Sequence, residues 1–185
     1  MLDLPTASRM LRDAYKGRNQ RRMRKVNDKI MMASAVGFSN ELYLLAVYSY
    51  VLSKILSKPR FMGRRYADKH RNIDRILSDM VAASESKNSK RFKSLLRNLE
   101  FSIQNIEVSD SRYLKSMIDK GRLKTAAILY AQGFSLSAAA DVTGIEQQEI
   151  MDYAGKTRMF DRLEERTPLS KRIKKAYRML IGEKI

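Results

Sequence analysis

Cysteine is absent from the 185 residues, and histidine occurs once, at His70. The first absence removes disulfide frameworks, thiolate zinc sites and cysteine nucleophiles. The second excludes His-rich metal sites and argues against Ser–His triads. Acidic residues are scarce, with 20 Asp and Glu against 37 Lys and Arg, a net charge of +17. That imbalance points to a polyanionic partner. Only three prolines and eight glycines occur, and strand-like alternation is nearly missing. Long apolar runs are missing too. Leu42 to Leu52 is the most apolar stretch, and Ser53 and Lys54 end it. A bilayer span needs about 20 apolar residues, so this stretch reads as a buried core helix. The opening MLDLPTASRM lacks the basic start and apolar run of a secretory signal. A cytoplasmic location without membrane insertion is expected.

What remains is 44% hydrophobic, enough to bury a core. The expected class is all-α. Pro5, Pro59 and Pro168 each sit where a helix can begin, because the N–H that proline lacks would be unpaired there. Helices are expected at 5–16, 19–36, 39–57, 59–83, 87–106, 111–132, 136–142, 146–154 and 168–182. Met23, Val26, Ile30 and Ala33 form one apolar stripe, and Phe92, Leu95, Leu96, Leu99 and Ile103 another. Residues 84–89, SESKNS, read as a turn between antiparallel helices.

Charge divides the chain near residue 107. Residues 1–107 hold 22 basic and 10 acidic side chains, and residues 108–185 hold 15 and 10. The expected organisation is an N-terminal antiparallel helical bundle (1–107) followed by a smaller helical module (108–185). One continuous all-helical domain is the alternative.

Residues 136–153, LSAAADVTGIEQQEIMDY, carry a small residue, a turn glycine and an aliphatic at Ala140, Gly144 and Ile150. Two short helices that cross closely need almost no side chain at the contact, and their tight turn needs a residue that tolerates positive φ. Ile145 and Ile150 would pin the second helix onto the first. Ser135 can cap the first helix, and Gly133 can end the helix before it. Over residues 133–155 this segment resembles the helix-turn-helix superfamily. The resemblance implies a second helix that enters the DNA major groove. In this chain that segment holds Asp141, Glu146, Glu149 and Asp152 and no basic residue. Gln147 and Gln148 have the chemistry to read adenine edges, and Lys156 and Arg158 follow as backbone contacts. Two roles stay open for the second helix: approach to nucleic acid, or a protein partner at Glu146 to Tyr153.

The sharpest basic cluster runs from Lys16 to Lys29. Arg18, Arg21, Arg22, Lys25 and Lys29 share one helical face by spacing. A second patch holds Arg60, Arg64, Arg65, Arg71 and Arg75, with Arg60, Arg64, Arg71 and Arg75 aligned along one helix. Lys171, Lys174 and Lys175 belong to a further patch near the C-terminus. Acidic partners at i+4 are sparse, whereas a merely solvated helix mixes signs. Arginine outnumbers lysine in the first two patches, and its planar fork suits phosphate. Tyr15, Tyr66, Tyr113, Tyr130, Tyr153 and Tyr177 accompany the patches. Stacking on single-stranded bases would use such rings, although core packing suits Tyr66, Tyr153 and Tyr177 better.

Catalytic patterns are missing. His70 lies within the second patch and reads as a surface residue or phosphate contact, with Asp74 four residues on. Carboxylates with metal-ligand spacing are not found, and Gly155-Lys156-Thr157 lacks the earlier glycine of a phosphate-binding loop. The expectation is a non-enzymatic nucleic-acid-binding protein with no cofactor or metal. DNA is the first choice, as for a transcriptional regulator or chromosome-associated factor. The alternatives are an RNA- or ribosome-binding factor and a protein-interaction adaptor.

Overall fold

A computed structural model of the chain describes residues 2–36, 39–106 and 111–162. These residues are helical, with no strand among them. Helix starts follow local chemistry. Asp3 accepts a hydrogen bond from the Thr6 N–H at 3.0 Å and opens α1 (Leu4–Lys16). Asn19 caps α2 (Gln20–Val36) through the Arg22 N–H, and Ser39 caps α3 (Asn40–Leu56) through the Leu42 N–H. Asn88 does the same for α5 (Ser89–Ile106), the partner of α4 (Ala67–Glu85). Ser135 caps α7 (Leu136–Thr143), which lies between α6 (Ser111–Ala131) and α8 (Gln147–Lys156). A short α9 spans Met159–Arg162. Loss of one such cap typically costs about 1 kcal/mol.

α3 is the central element. Leu45, Ala46, Val47, Val51, Leu52 and Ile55 are all fully buried, on every side of the helix. A helix that is apolar all round belongs in a core, and α1, α2, α5 and α6 surround this one. Burial of each large aliphatic contributes about 1.5–3 kcal/mol. A polar pin fixes α2 against α3: the buried Asn27 amide donates to the Ala46 carbonyl at 3.2 Å and to Ser49 Oγ at 2.8 Å. α6 passes so close to α3 that a Cβ on Gly121 would lie 3.3 Å from the Val47 carbonyl oxygen and 3.2 Å from the Tyr50 ring. The segment 107–110 between α5 and α6 lies outside the described residues. One cluster of buried apolar side chains runs from Ala7 to Met159.

Most observed helix ends agree with the expected ones, but the helix expected at 59–83 does not form as one piece. Residues Pro59–Met62 and Arg64–Tyr66 are separate 3₁₀ turns, and α4 starts only at Ala67. Packing explains the break. Phe61 and Tyr66 are both buried and meet edge to face at 5.6 Å. Residues five apart on an α-helix point about 140° from one another. Extended backbone at Gly63 (φ −70°, ψ 160°) lets both rings enter the same core. Consequently Arg60 and Arg64 do not share a helix with Arg71 and Arg75.

Candidate nucleic-acid interface

α2 buries Met23, Val26, Asn27 and Ile30 and leaves Arg21, Arg22, Arg24, Lys25 and Lys29 exposed. No ion pair holds any of these five among the described residues. The acid on the same helix, Asp28, faces Lys124 of α6 at 3.8 Å. The outer side of α2 is therefore a row of cations without ion pairs, with exposed Asp28 the one acid among them.

Arg18 differs from the helical-face expectation. It lies before α2, in a left-handed backbone conformation with φ 47°. Its guanidinium donates to both carboxylate oxygens of Asp74 on α4, at 3.0 and 2.6 Å, and to the Tyr15 carbonyl at 2.7 Å. The same group stacks on the Tyr15 ring. Arg18 is thus a clamp between α1 and α4 rather than a member of the α2 row. The reason is geometric: the α1–α2 corner turns the side chain inward, away from the outer face.

His70 is corrected as well. It is 5% exposed, so it is not a surface group. Its Nε2 lies 2.8 Å from the Phe61 carbonyl, which only accepts, so Nε2 carries the hydrogen. The Tyr15 hydroxyl, 2.6 Å from Nδ1, then donates to the neutral ring. Burial holds the His70 pKa below its ordinary value, and the nearby Arg18 charge pushes the same way. Asp74, its expected helical partner, is taken by Arg18. Burial also raises the Tyr15 pKa.

These contacts tie the end of α1 to α4 and to the turn that carries Arg60. The end of α1 meets the start of α4 through Tyr15 and His70, and His70 holds the turn that contains Phe61. Lys16, Arg21, Arg22, Arg60, Arg64 and Arg65 are all exposed. Arg60 lies over the Phe61 ring and Arg65 over the Tyr66 ring, each at about 4.6 Å. Arg64 is exposed. Arg71 pairs with Asp68, and Arg75 donates to the Asn72 side-chain oxygen at 2.8 Å. Lys171, Lys174 and Lys175 lie outside the described residues, as does the helix expected at 168–182.

The segment between α7 and α8 has its own geometry. Gly144 takes φ 68° and donates its N–H to the Ala140 carbonyl at 2.8 Å. Ile150 and Ala154 of α8 are fully buried, and Ile145 is partly buried. The fully buried small residue of α7 is Ala139, whereas Ala140 is only partly buried. The exposed side of α8 presents Gln147, Gln148, Glu149, Met151 and Asp152, preceded by exposed Glu146. Gln148 donates to Asp152 at 2.8 Å. Lys156 and Arg158 are exposed at the far end of α8.

Comparisons with protein-family models, curated proteins and solved structures find no match for this chain. Among the described residues no group of three or more His, Asp or Glu is arranged to hold a metal ion, and no helix is long and apolar enough to cross a membrane. Ring stacking was expected of tyrosines. Tyr15 and Tyr66 are buried, and Phe101, 65% exposed, is the most exposed aromatic residue among the described residues. Phe101 falls between the apolar positions Leu99 and Ile103, which gave a sequence-level hint that it faces out.

Proposed function

We propose that this protein binds nucleic acid without catalysing a reaction, and holds the phosphate backbone along the outer face of α2. The observation that carries the reading is the row Arg21, Arg22, Arg24, Lys25 and Lys29, exposed and without ion pairs among the described residues. Like charges on one helix repel and cost stability. A bound polyanion offsets that cost and releases its counterions. Arg60, Arg64 and Arg65 add further exposed cations. DNA is the preferred ligand, in a regulatory or chromosome-associated role.

In this reading α7, Gly144 and α8 form a helix-turn-helix unit beside an N-terminal helical bundle. The acidic exposed side of α8 argues against deep groove entry, because Glu149 and Asp152 would face phosphate. That same observation favours a second reading, shape-directed contact with RNA, which needs no base-reading helix. Competition between duplex DNA and duplex RNA separates the two.

The test is the salt dependence of affinity. Wild-type protein should lose affinity linearly on a log–log salt plot, with a slope of about 0.9 per phosphate neutralised. Changing Arg21, Arg22, Lys25 and Lys29 together to Gln should remove roughly three to four units of slope. Absence of binding at low salt, or an unchanged slope in the variant, overturns the reading.

A further inference from the structure

His70, in the first turn of α4, joins three elements through its ring. Nδ1 meets the Tyr15 hydroxyl of α1, and Nε2 meets the Phe61 carbonyl in the turn Pro59–Tyr66. Both partners are buried. The arrangement fits a neutral ring and no other: the carbonyl takes the one N–H, and the hydroxyl donates to the bare nitrogen. A second proton, on Nδ1, would force the hydroxyl hydrogen to turn away, and that hydroxyl has no other partner among the described residues. The surrounding charges do not offset an imidazolium. At the end of α1, the Arg18 guanidinium stacks on the Tyr15 ring, Lys16 is exposed, and Asp13 pairs with Arg12. On α4, Asp74 is engaged by Arg18, and Asp68 by Arg71. The turn carries Arg60, Arg64 and Arg65 and no acid. α3 also packs on the turn; its one acid, Glu41, pairs with Lys93, and its Lys54 lies over the Tyr50 ring.

We propose that His70 is a proton-operated latch: while neutral it seals the Pro59–Tyr66 turn onto α1 and α4, and once protonated it lets that turn lift away with Arg60, Arg64 and Arg65. A charged ring needs water, and a buried one reaches it only if a cover moves. α1 is fastened to α4 independently of His70, by the Arg18–Asp74 clamp and by buried Ala7, Leu11 and Ala14. The turn is two short 3₁₀ pieces whose buried side chains are Phe61 and Tyr66. A segment with so few buried contacts opens before the helices do. On the nucleic-acid reading above the three arginines serve phosphate, so acid loosens part of the cationic surface. The latch itself is tested without nucleic acid, and its failure leaves that reading untouched.

The experiment follows the full chain from pH 7.5 to pH 4.5 with two readouts. Nitrogen NMR reports the imidazole, and since His70 is the one histidine its signal needs no assignment. Amide hydrogen exchange, corrected for the intrinsic effect of pH, reports the opening of residues 60–66. The lifted turn leaves His70 in water with its ordinary pKa of 6.5, whereas burial lowers it in the closed form. The open form therefore binds more protons, and its population should grow about tenfold per pH unit below 6.5 until the closed value is reached. Amides in the middle of α1, α3 and α4 should keep their protection over that range. His70→Gln should remove the pH response of the turn. Tyr15→Phe takes away the donor to Nδ1, so ring protonation and turn opening should both move to higher pH.

A turn that stays protected after the ring has protonated overturns the latch, and so does a ring still neutral at pH 4.5. Loss of protection in α1, α3 and α4 in step with the turn also overturns it, because acid would then unfold the whole protein. A His70→Gln protein that keeps the acid response of the turn does the same. Should His70→Gln fail to fold, Tyr15→Phe decides: an upward shift supports the latch, and an unchanged pH of opening overturns it.

Discussion

The guanidinium of Arg18 and the carboxylate of Asp74, 56 residues apart in the chain, meet through two hydrogen bonds of 3.0 and 2.6 Å. Both side chains are 28% exposed, so the pair is screened only in part. A two-pronged arginine–carboxylate contact is stronger than a single surface ion pair. It also holds Arg18 at φ 47°, a conformation that costs a non-glycine residue about 1–2 kcal/mol.

The clamp gives a prediction about strain. Arg18→Gln removes the charge and keeps the unfavourable backbone, and it should cost about 1–2 kcal/mol. Arg18→Gly removes the charge and the strain together and should cost less. Urea midpoints of the two variants check the order. An Arg18→Gln protein that unfolds at the wild-type midpoint would show that the clamp contributes nothing.

His70 predicts an acid-sensitive fold. Its folded pKa lies below the ordinary value of 6.5, through burial and the Arg18 charge. The unfolded chain therefore binds more protons between the two values, and stability rises with pH there. The contribution is fully present above about pH 6.5 and is lost as pH falls through the folded value. Stability against urea should decline below pH 6.5, and His70→Gln should flatten that decline. Equal pH dependence in both proteins would disprove the assignment.

Two glycines should fail for different reasons. Gly144 has open space around its Cα but φ 68°, so Gly144→Val meets backbone strain alone and should cost about 1–3 kcal/mol. Gly144→Asn should cost less, since asparagine tolerates left-handed backbone. Gly121 has ordinary helical backbone but no room, and Gly121→Val should cost about 1–3 kcal/mol by forcing α6 from Val47. Gly121→Asn should give no comparable relief, because any Cβ meets the same carbonyl. Thermal melts of the four variants test the contrast.

Charge on α8 offers a further check. Glu146 and Glu149 are exposed, so Glu146→Gln with Glu149→Gln should leave the fold unchanged. If bound phosphate lies within a Debye length, about 8 Å at physiological salt, nucleic-acid affinity should rise by roughly two- to fivefold at low salt and converge at high salt. No rise at low salt would separate α8 from the bound backbone. Weakened binding to a basic protein would instead favour the adaptor role.

Much of the helical framework was legible in the sequence because its signals are local. Asn19, Asn88 and Ser135 are short polar side chains that reach the backbone three residues on, so the residue type at the boundary states its role. The stripes through α2 and α5 follow from helical period, and the row from Arg21 to Lys29 is the other side of the same arithmetic. The positive φ at Gly144 follows from the residue that needs no Cβ.

Tertiary structure decided what depends on partners far along the chain. Helical spacing placed Arg18 with the exposed row and Asp74 beside His70. Packing of α1 on α4 instead exchanged these partners, joining Arg18 to Asp74 and burying His70 between Tyr15 and the Phe61 carbonyl. Neither exchange leaves a trace in local spacing, because a buried polar group needs a partner of any sequence distance. The break at Gly63 has the same origin: two rings five residues apart had to enter one core, and the backbone gave way. The two rings of α5 were sorted likewise, with Phe92 buried and Phe101 left exposed beside α4.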